Sequence, residues 1–389
     1  MSKVTTAYFS TASRLLLYDD FTDPERRHAF GETWEAVKDL LEEIDQALSP
    51  SRETSDVSRY NRLRCGESIA ISPHTANVLS VARQVYALSG GAYDPTVSAL
   101  VDLWGFSPRF TSAYSTTTMP YDRPRLGAGF ALPEDEYVEG LQELVCFPAI
   151  QMEGLTLTKT AAPVEIQGTL YEQTLDLGGI GKGYAVDQVT ALLRERGYVY
   201  GHFSCGGSSL AVLQRAIASK GAPEPAQWGV AIEKPRFRTR EAPAFMRVFA
   251  RDMALSTSGD YEHTYMMEGV RYTHLIDPVT GYPINRPVNG IQKGLCSATV
   301  FGPNAAFDDA LSTALCVMGL KDALALMNTE PLAGYGFVLT LYDGSQNYCE
   351  YVTNLPPAQC AFLDEAHYRR ACVQIGGKVI YTGTFIDNQ

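Results

Sequence analysis

The chain has 389 residues, 45% of them hydrophobic and 20% charged, with a formal net charge of −12 at pH 7. That length suits one large domain or two closely joined lobes around a sizeable core. The acidic balance argues against a nucleic-acid binder that relies on bulk electrostatics, but not against a small phosphorylated ligand, because a local metal ion can supply positive charge.

Residues 4–18 are rich in Thr, Tyr and Leu and read as one or two strands. Pro24–Leu48 reads as an amphipathic helix with Phe30, Trp34, Val37, Leu41 and Ile44 along one face. The polar stretch SRETSDVSRYNRL that follows has little periodicity and by itself reads as a solvent loop. Pro73–Ser89 is a second helix closed by Gly90 and Gly91. In GAYDPTVSALVDLWGF, Asp94-Pro95 makes a turn or opens a helix, and Trp104 belongs to the core. Residues 107–135, dense in Ser, Thr, Pro and Gly, read as an insertion or mobile loop. Glu136–Leu144 is a short helix, and the period of two in QMEGLTLTK and VEIQGTLYEQTLDL predicts antiparallel strands.

Leu175–Gly197, LDLGGIGKGYAVDQVTALLRERG, reads as a strand, a glycine-rich turn and a helix. Backbone N–H groups and Lys182 then meet at a helix N-terminus, a natural anion site, although a tight turn needing glycine explains the pattern equally well. It is neither a P-loop nor a GxGxxG pattern. His202–Leu213 is a strand with a double glycine, a loop covers 216–227, and WGVAIEKP is a strand. RVFARDMALSTSGDYEHTY gives a strand and then a turn at Ser256–Gly259. YTHLIDPVTGYPI is a hairpin whose turn starts at Asp277-Pro278 and ends at Gly281.

GPNAAFDDALSTALCVMG is a helix with Asn304 as N-cap and Gly319 as its stop, and Leu311, Leu315 and Met318 on one face. Asp309 and Thr313, four apart, share another face near the positive end. A carboxylate and a hydroxyl so placed suit Mg²⁺; the alternative is that Asp309 complements the helix dipole and Thr313 bonds back to the backbone. LKDALALMN is a further helix, and GFVLTLYDG, ACVQIG and KVIYTGTF are late strands. Strands and helices mix without a regular βαβ alternation, which predicts an α+β fold. The eight cysteines form no CxxC pair and read as buried thiols rather than disulfides or a zinc site. No signal-peptide core, lipidation cysteine or membrane span is expected, and a cytoplasmic protein fits best.

Six motifs in this order, SDVSRYNR, GAYDPTVSALVDLWGF, LDLGGIGKGYAVD, STSGDY, HLIDPVTGYP and DDALSTAL, resemble those of the FAD:protein FMN transferases, the ApbE-like flavin transferases, over roughly residues 40–320. The resemblance implies one ApbE-like domain over residues 1–389, with mostly antiparallel sheets, packed helices and FAD bound between lobes. It implies Mg²⁺-dependent cleavage of FAD, attachment of FMN by a phosphoester to a Thr or Ser hydroxyl of an acceptor protein, and release of AMP. The family pattern places the metal at Asp309, Thr313 and the Gly181 carbonyl. It makes His274 the candidate general base, with Lys182 adding positive charge. Ser58, Asn61, Tyr93, Asp94, Thr96, Asp176, Gly179, Lys182, Ser256, Thr257, Ser258, Gly259, His274 and Asp277 become the flavin-nucleotide pocket candidates. Ser208 after the double glycine and Glu262 after GDY depart from the usual acidic and basic residues. Two other outcomes use the same scaffold, an FAD pyrophosphatase releasing FMN and AMP and a non-catalytic FAD-binding protein.

Overall fold

A computed structural model of the chain describes residues 2–9, 11–106, 131–214, 227–236, 244–267, 269–286, 294–342, 348–362, 369–375 and 378–386. The loops expected over 107–135 and 216–227 lie outside the described residues as far as 130 and 226. The fold is α+β and is built on one antiparallel sheet. Its ten strands are β1 (Ser2–Tyr8), β2 (Thr11–Leu17), β3 (Gly201–Cys205), β4 (Ser209–Val212), β5 (Met253–Gly259), β6 (Ser297–Gly302), β7 (Gly336–Tyr342), β8 (Tyr348–Thr353), β9 (Arg369–Ile375) and β10 (Lys378–Ile386). They lie in the order β1-β2-β3-β4-β5-β6-β7-β8-β10-β9, so nearly every strand neighbours the next in sequence within the sheet. Smaller sheets flank it, among them a hairpin of Thr264–Met267 with Val270–Thr273.

Seven helices are described: α1 (Pro24–Leu48), α2 (Asp56–Asn61), α3 (Pro73–Leu88), α4 (Ser98–Leu103), α5 (Asp135–Gln142), α6 (Gly178–Glu195) and α7 (Ala305–Met327). Their starts follow the expected chemistry. Asp23, Ser72 and Asn304 cap α1, α3 and α7 by accepting from Glu25, Thr75 and Phe307 amides, and proline opens α1 and α3. The apolar faces of α1, α3, α6 and α7 meet in one core with Leu15, Leu17, Phe203 and Val300 from the sheet. A separate cluster gathers Leu100, Trp104, Val138, Tyr265, Tyr272 and Ile276, and Trp104 Nε1 donates to the Gly281 carbonyl at 2.9 Å. Helix α7 has 23 residues and is apolar enough by composition to cross a membrane, but Ala310, Leu311, Ala314, Leu315 and Cys316 are fully buried within the fold.

Several local expectations change. SRETSDVSRYNRL is not a solvent loop: it contains α2, whose Val57 and Tyr60 are fully buried and which Ser55 caps. No strand precedes the glycine turn, because the Leu175 backbone bonds the Asn61 side chain instead of a neighbouring strand. The double glycine does not lie within a strand but turns β3 into β4, with Gly206 and Gly207 at φ of 68° and 76°. Ser256–Gly259 is not a turn but the end of β5, paired with β6; Ser256 is fully buried and opposite Val300. Asp277 to Tyr282 turns as expected, although pairing there is confined to Ile276 and Pro283. Gly319 breaks α7 with φ 74° and ψ 175°, but the chain resumes helical structure at once. Cys205, Cys296 and Cys316 are buried thiols as expected, whereas Cys65 is exposed.

Candidate active site

The site forms where α6 begins and crosses the first turns of α7. Gly183 permits the crossing: a Cβ there would lie 2.1 Å from the Ala305 carbonyl oxygen and 2.8 Å from Asp309 Cβ. The close approach lets the Gly183 amide donate to Asp309 Oδ2 at 3.0 Å. Asp309 is 2% exposed, and among the described residues its Oδ1 makes no hydrogen bond. One turn further, Thr313 Oγ1 lies 2.9 Å from Ser258 Oγ at the end of β5. A Cβ on Gly179 would stand 3.5 Å from that Thr313 oxygen and 3.4 Å from the Tyr93 ring, so the start of α6, α7 and Tyr93 meet at one place.

Around it the expected residues divide by what they touch. Lys182 stays on the α6 start, with Nζ donating to the Gly178 carbonyl at 3.0 Å. Its charge acts on His274. Asp176 Oδ1 accepts from the Gly178 amide at 2.7 Å and holds the turn. The Tyr93 hydroxyl is buried without a partner among the described residues; burial first, then Asp309, Asp176 and Asp94, raise its pKa well above the ordinary phenol value.

Other candidates spend their polar atoms on the scaffold. Ser58 Oγ donates to the Pro50 carbonyl at 3.0 Å. Asn61 clasps Leu175 through both backbone groups, at 3.0 and 2.7 Å. Asp94 Oδ1 accepts from the Thr96 amide and hydroxyl at 2.8 and 2.5 Å, and its Oδ2 accepts from the Phe147 amide. Thr96 Oγ1 in turn accepts from the Cys146 amide. Asp277 accepts from the Val279 amide within its turn. Ser256 reaches the Ala305 carbonyl, Thr257 meets Thr299, and Gly259 lies against the Tyr261 ring. These residues fix the walls from which the site's other groups project.

His274 follows the Val270–Thr273 strand and is half-buried. Its amide donates to the His263 carbonyl at 3.1 Å, and its Nδ1 lies 3.3 Å from the same oxygen. That contact selects the Nδ1–H tautomer and leaves Nε2 as the acceptor. The His263 ring stands edge-on at 5.2 Å. Burial first, then the His263 and Lys182 charges, push the His274 imidazole down to about 3, against the opposing His263 carbonyl contact.

Three residues were missed among the candidates. Asp187 accepts the Ala305 and Ala306 amides at 2.7 and 2.9 Å, so a carboxylate of α6 caps α7, and burial pushes it up to about 6. Asp308 is fully buried, and burial, then Asp187, raise its carboxyl well above the usual range. Ser312 bonds both Ser258 and the Asp309 carbonyl. Asp187 and Asp308 stand inside the motifs LDLGGIGKGYAVD and DDALSTAL, yet nothing in the residue pattern shows that the two helices cross there. Among the described residues, no group of three or more His, Cys, Asp or Glu is placed to hold a metal ion.

A family model described as the ApbE family matches residues 9–335. An FAD:protein FMN transferase of Vibrio cholerae serotype O1 is 31% identical over 315 residues, covering 81% of this chain and 80% of that protein. The Escherichia coli (strain K12) protein of the same name is 29% identical, covering 77% of this chain and 75% of its own length. Among solved structures, the apo flavinyl transferase ApbE of Pseudomonas stutzeri superposes with a TM-score of 0.67 at 26% identity, covering 90% of this chain and 93% of its own.

Proposed function

The chain belongs to the ApbE family, and from that premise we propose that it cleaves FAD and transfers the FMN half to a Thr or Ser hydroxyl of an acceptor protein, with Mg²⁺ held by Asp309, Thr313 and the Gly181 carbonyl. It is an enzyme, an FAD:protein FMN transferase. The observation that supports the metal-assisted form is the α6–α7 crossing, where the buried Asp309 carboxylate takes the Gly183 amide and the Thr313 hydroxyl stands one turn on, beside Gly179.

The donor set suits Mg²⁺. It offers one carboxylate and one hydroxyl, hard oxygens, and among the described residues no group of three or more His, Cys, Asp or Glu gathers as a zinc site would require. A single carboxylate leaves room for phosphate oxygens and waters in an octahedral shell. Bound there, the ion would offset the pyrophosphate charge and stabilise the departing phosphate oxygen.

The residues of the chain supply the rest. The α6 start aims its partial positive charge, together with Lys182, at an anion. His274 Nε2 takes the proton from the acceptor hydroxyl as its oxygen bonds to the FMN-side phosphorus. The phosphorus–oxygen bond to AMP breaks, and AMP leaves with the bridging oxygen. The neutral imidazole that this needs is held by burial and by the Lys182 charge. The Nδ1 contact to the His263 carbonyl fixes the ring while it does so.

The test is incubation of the purified protein with FAD and Mg²⁺, with and without a protein that carries a family-type acceptor Thr. AMP formed in step with an FMN-sized mass gain on the acceptor is expected. Equal AMP and free FMN without acceptor would replace transfer by pyrophosphatase chemistry.

A further inference from the structure

The Thr313 hydroxyl belongs to a group of three whose distances leave only one economical arrangement of protons. Ser312 Oγ lies 2.8 Å from the Asp309 carbonyl, which has no proton to give, so Ser312 donates there. Ser258 Oγ is 2.7 Å from Ser312 Oγ and 2.9 Å from Thr313 Oγ1. With the Ser312 proton already committed, Ser258 donates to Ser312, and Thr313 donates to Ser258. The other direction would leave Thr313 only the Asp309 carbonyl at 3.4 Å, a much poorer acceptor already engaged by Ser312. The three donors thus run one way: Thr313 to Ser258, Ser258 to Ser312, Ser312 to the main chain of Asp309. Ser312 is fully buried, so water does not compete for the end of the chain.

We propose that Ser258 and Ser312 are positioning residues for the metal site, a directed hydroxyl relay that turns the Thr313 proton away and presents its lone pairs to the cation. This rests on the reading of Asp309 and Thr313 as metal ligands. The physical reason is simple. A neutral hydroxyl ligates through oxygen only when its own proton has an acceptor elsewhere, and coordination sharpens its acidity and strengthens that outward bond. The relay ends on the carbonyl of Asp309, so the same turn of α7 that supplies the carboxylate also anchors the hydroxyl.

The test measures Mn²⁺ affinity in the presence of FAD, from the electron paramagnetic resonance signal of the free ion, with far-ultraviolet circular dichroism to establish folding. Ser258→Ala removes the acceptor of the Thr313 proton and is expected to weaken Mn²⁺ binding about tenfold, within the range for outer partners of metal ligands. Ser258→Thr keeps the hydroxyl and restores binding. Ser312→Ala frees the Ser258 proton to turn toward Thr313 and gives a smaller loss in the same direction. Wild-type affinity in both alanine variants, alongside loss in Asp309→Asn, overturns the relay and leaves the metal site standing. Loss in Ser258→Ala with none in Ser312→Ala overturns the direction of the relay. Unchanged affinity in Asp309→Asn overturns the metal site itself.

Discussion

At Asp309 one carboxylate oxygen, Oδ2, holds the Gly183 amide, while Oδ1 makes no hydrogen bond among the described residues. Asp309→Asn keeps an amide acceptor and removes the charge. It should lower Mg²⁺-dependent AMP release by about 10²-fold or more, with the circular dichroism spectrum unchanged. Release at the wild-type rate would remove Asp309 from the metal site. At His274 the depressed pKa of about 3 keeps the imidazole in its base form throughout the usual assay range. Between pH 5 and 8, kcat/KM should therefore show no acid limb from this group. Lys182→Met removes one of the charges that disfavour protonation, so the pKa rises, and any acid limb of the residual activity moves to higher pH. A limb unmoved in that variant would argue that another group takes the proton. Asp187 titrates in the opposite sense. Its folded pKa is about 6 against an ordinary 3.8, so its contribution to stability is fully present below about pH 4 and lost as pH rises through 6, a change of roughly 3 kcal/mol. Denaturant melts of metal-free protein should show the wild type losing stability relative to Asp187→Asn across that window. A constant difference between the two would contradict the assignment.

At the scale of elements, the Asn304 cap of α7 was plain in the sequence because capping is local chemistry. Asp23, Ser72 and Asn304 each bond an amide two or three residues ahead. Crossing geometry is not local. Gly183 reads as one glycine among several in GGIGKG, yet it is the one on which α6 and α7 close. A methyl there must displace the Ala305 main chain, and Gly183→Ala should cost about 1–3 kcal/mol in denaturant melts, as overpacked sites do. Gly179→Ala is the comparison, because its Cβ would meet only the Tyr93 ring and the Thr313 hydroxyl at ordinary contact distances. Equal stability of the Gly183 variant and wild type would show that the crossing is looser than its geometry. The same distinction explains Ser256–Gly259: its small polar residues suit a turn, but pairing with β6 and burial under α7 make it a strand.

Across the whole molecule, the ten-stranded sheet brings motifs from distant parts of the chain to one place. Thr313 and Ser258 are 55 residues apart, and Asp309 and Gly183 are 126 apart. The cluster around Trp104 ties the loop after His274 to α4: its indole N–H reaches the Gly281 carbonyl, and its ring stacks on Tyr272 at 5.7 Å. Trp104→Phe preserves a ring but leaves that buried carbonyl without its donor. We expect a stability loss of about 1–3 kcal/mol and a fall in kcat at nearly unchanged FAD affinity, because His274 follows directly on the strand carrying Tyr272. A variant with wild-type stability and kcat would show that this cluster does not hold the base in place.

The sequence alone determined what depends on residue type and short spacing. These were the α+β class, the Asn304 cap of α7 and the turn at Asp277. It also carried the family, because the six motifs keep both their composition and their order. The tertiary structure alone decided which scaffold groups the polar side chains bond. Ser58, Asn61, Asp94 and Thr96 look like pocket residues in sequence, yet each bonds the main chain or its partner in the scaffold. Ser312 and Asp187 look like ordinary helix residues, yet one bonds Ser258 beside Thr313 and the other caps α7 from α6. The physical reason is that a side chain's chemistry is local, whereas the partner that satisfies or spares it is set by which elements the fold packs together.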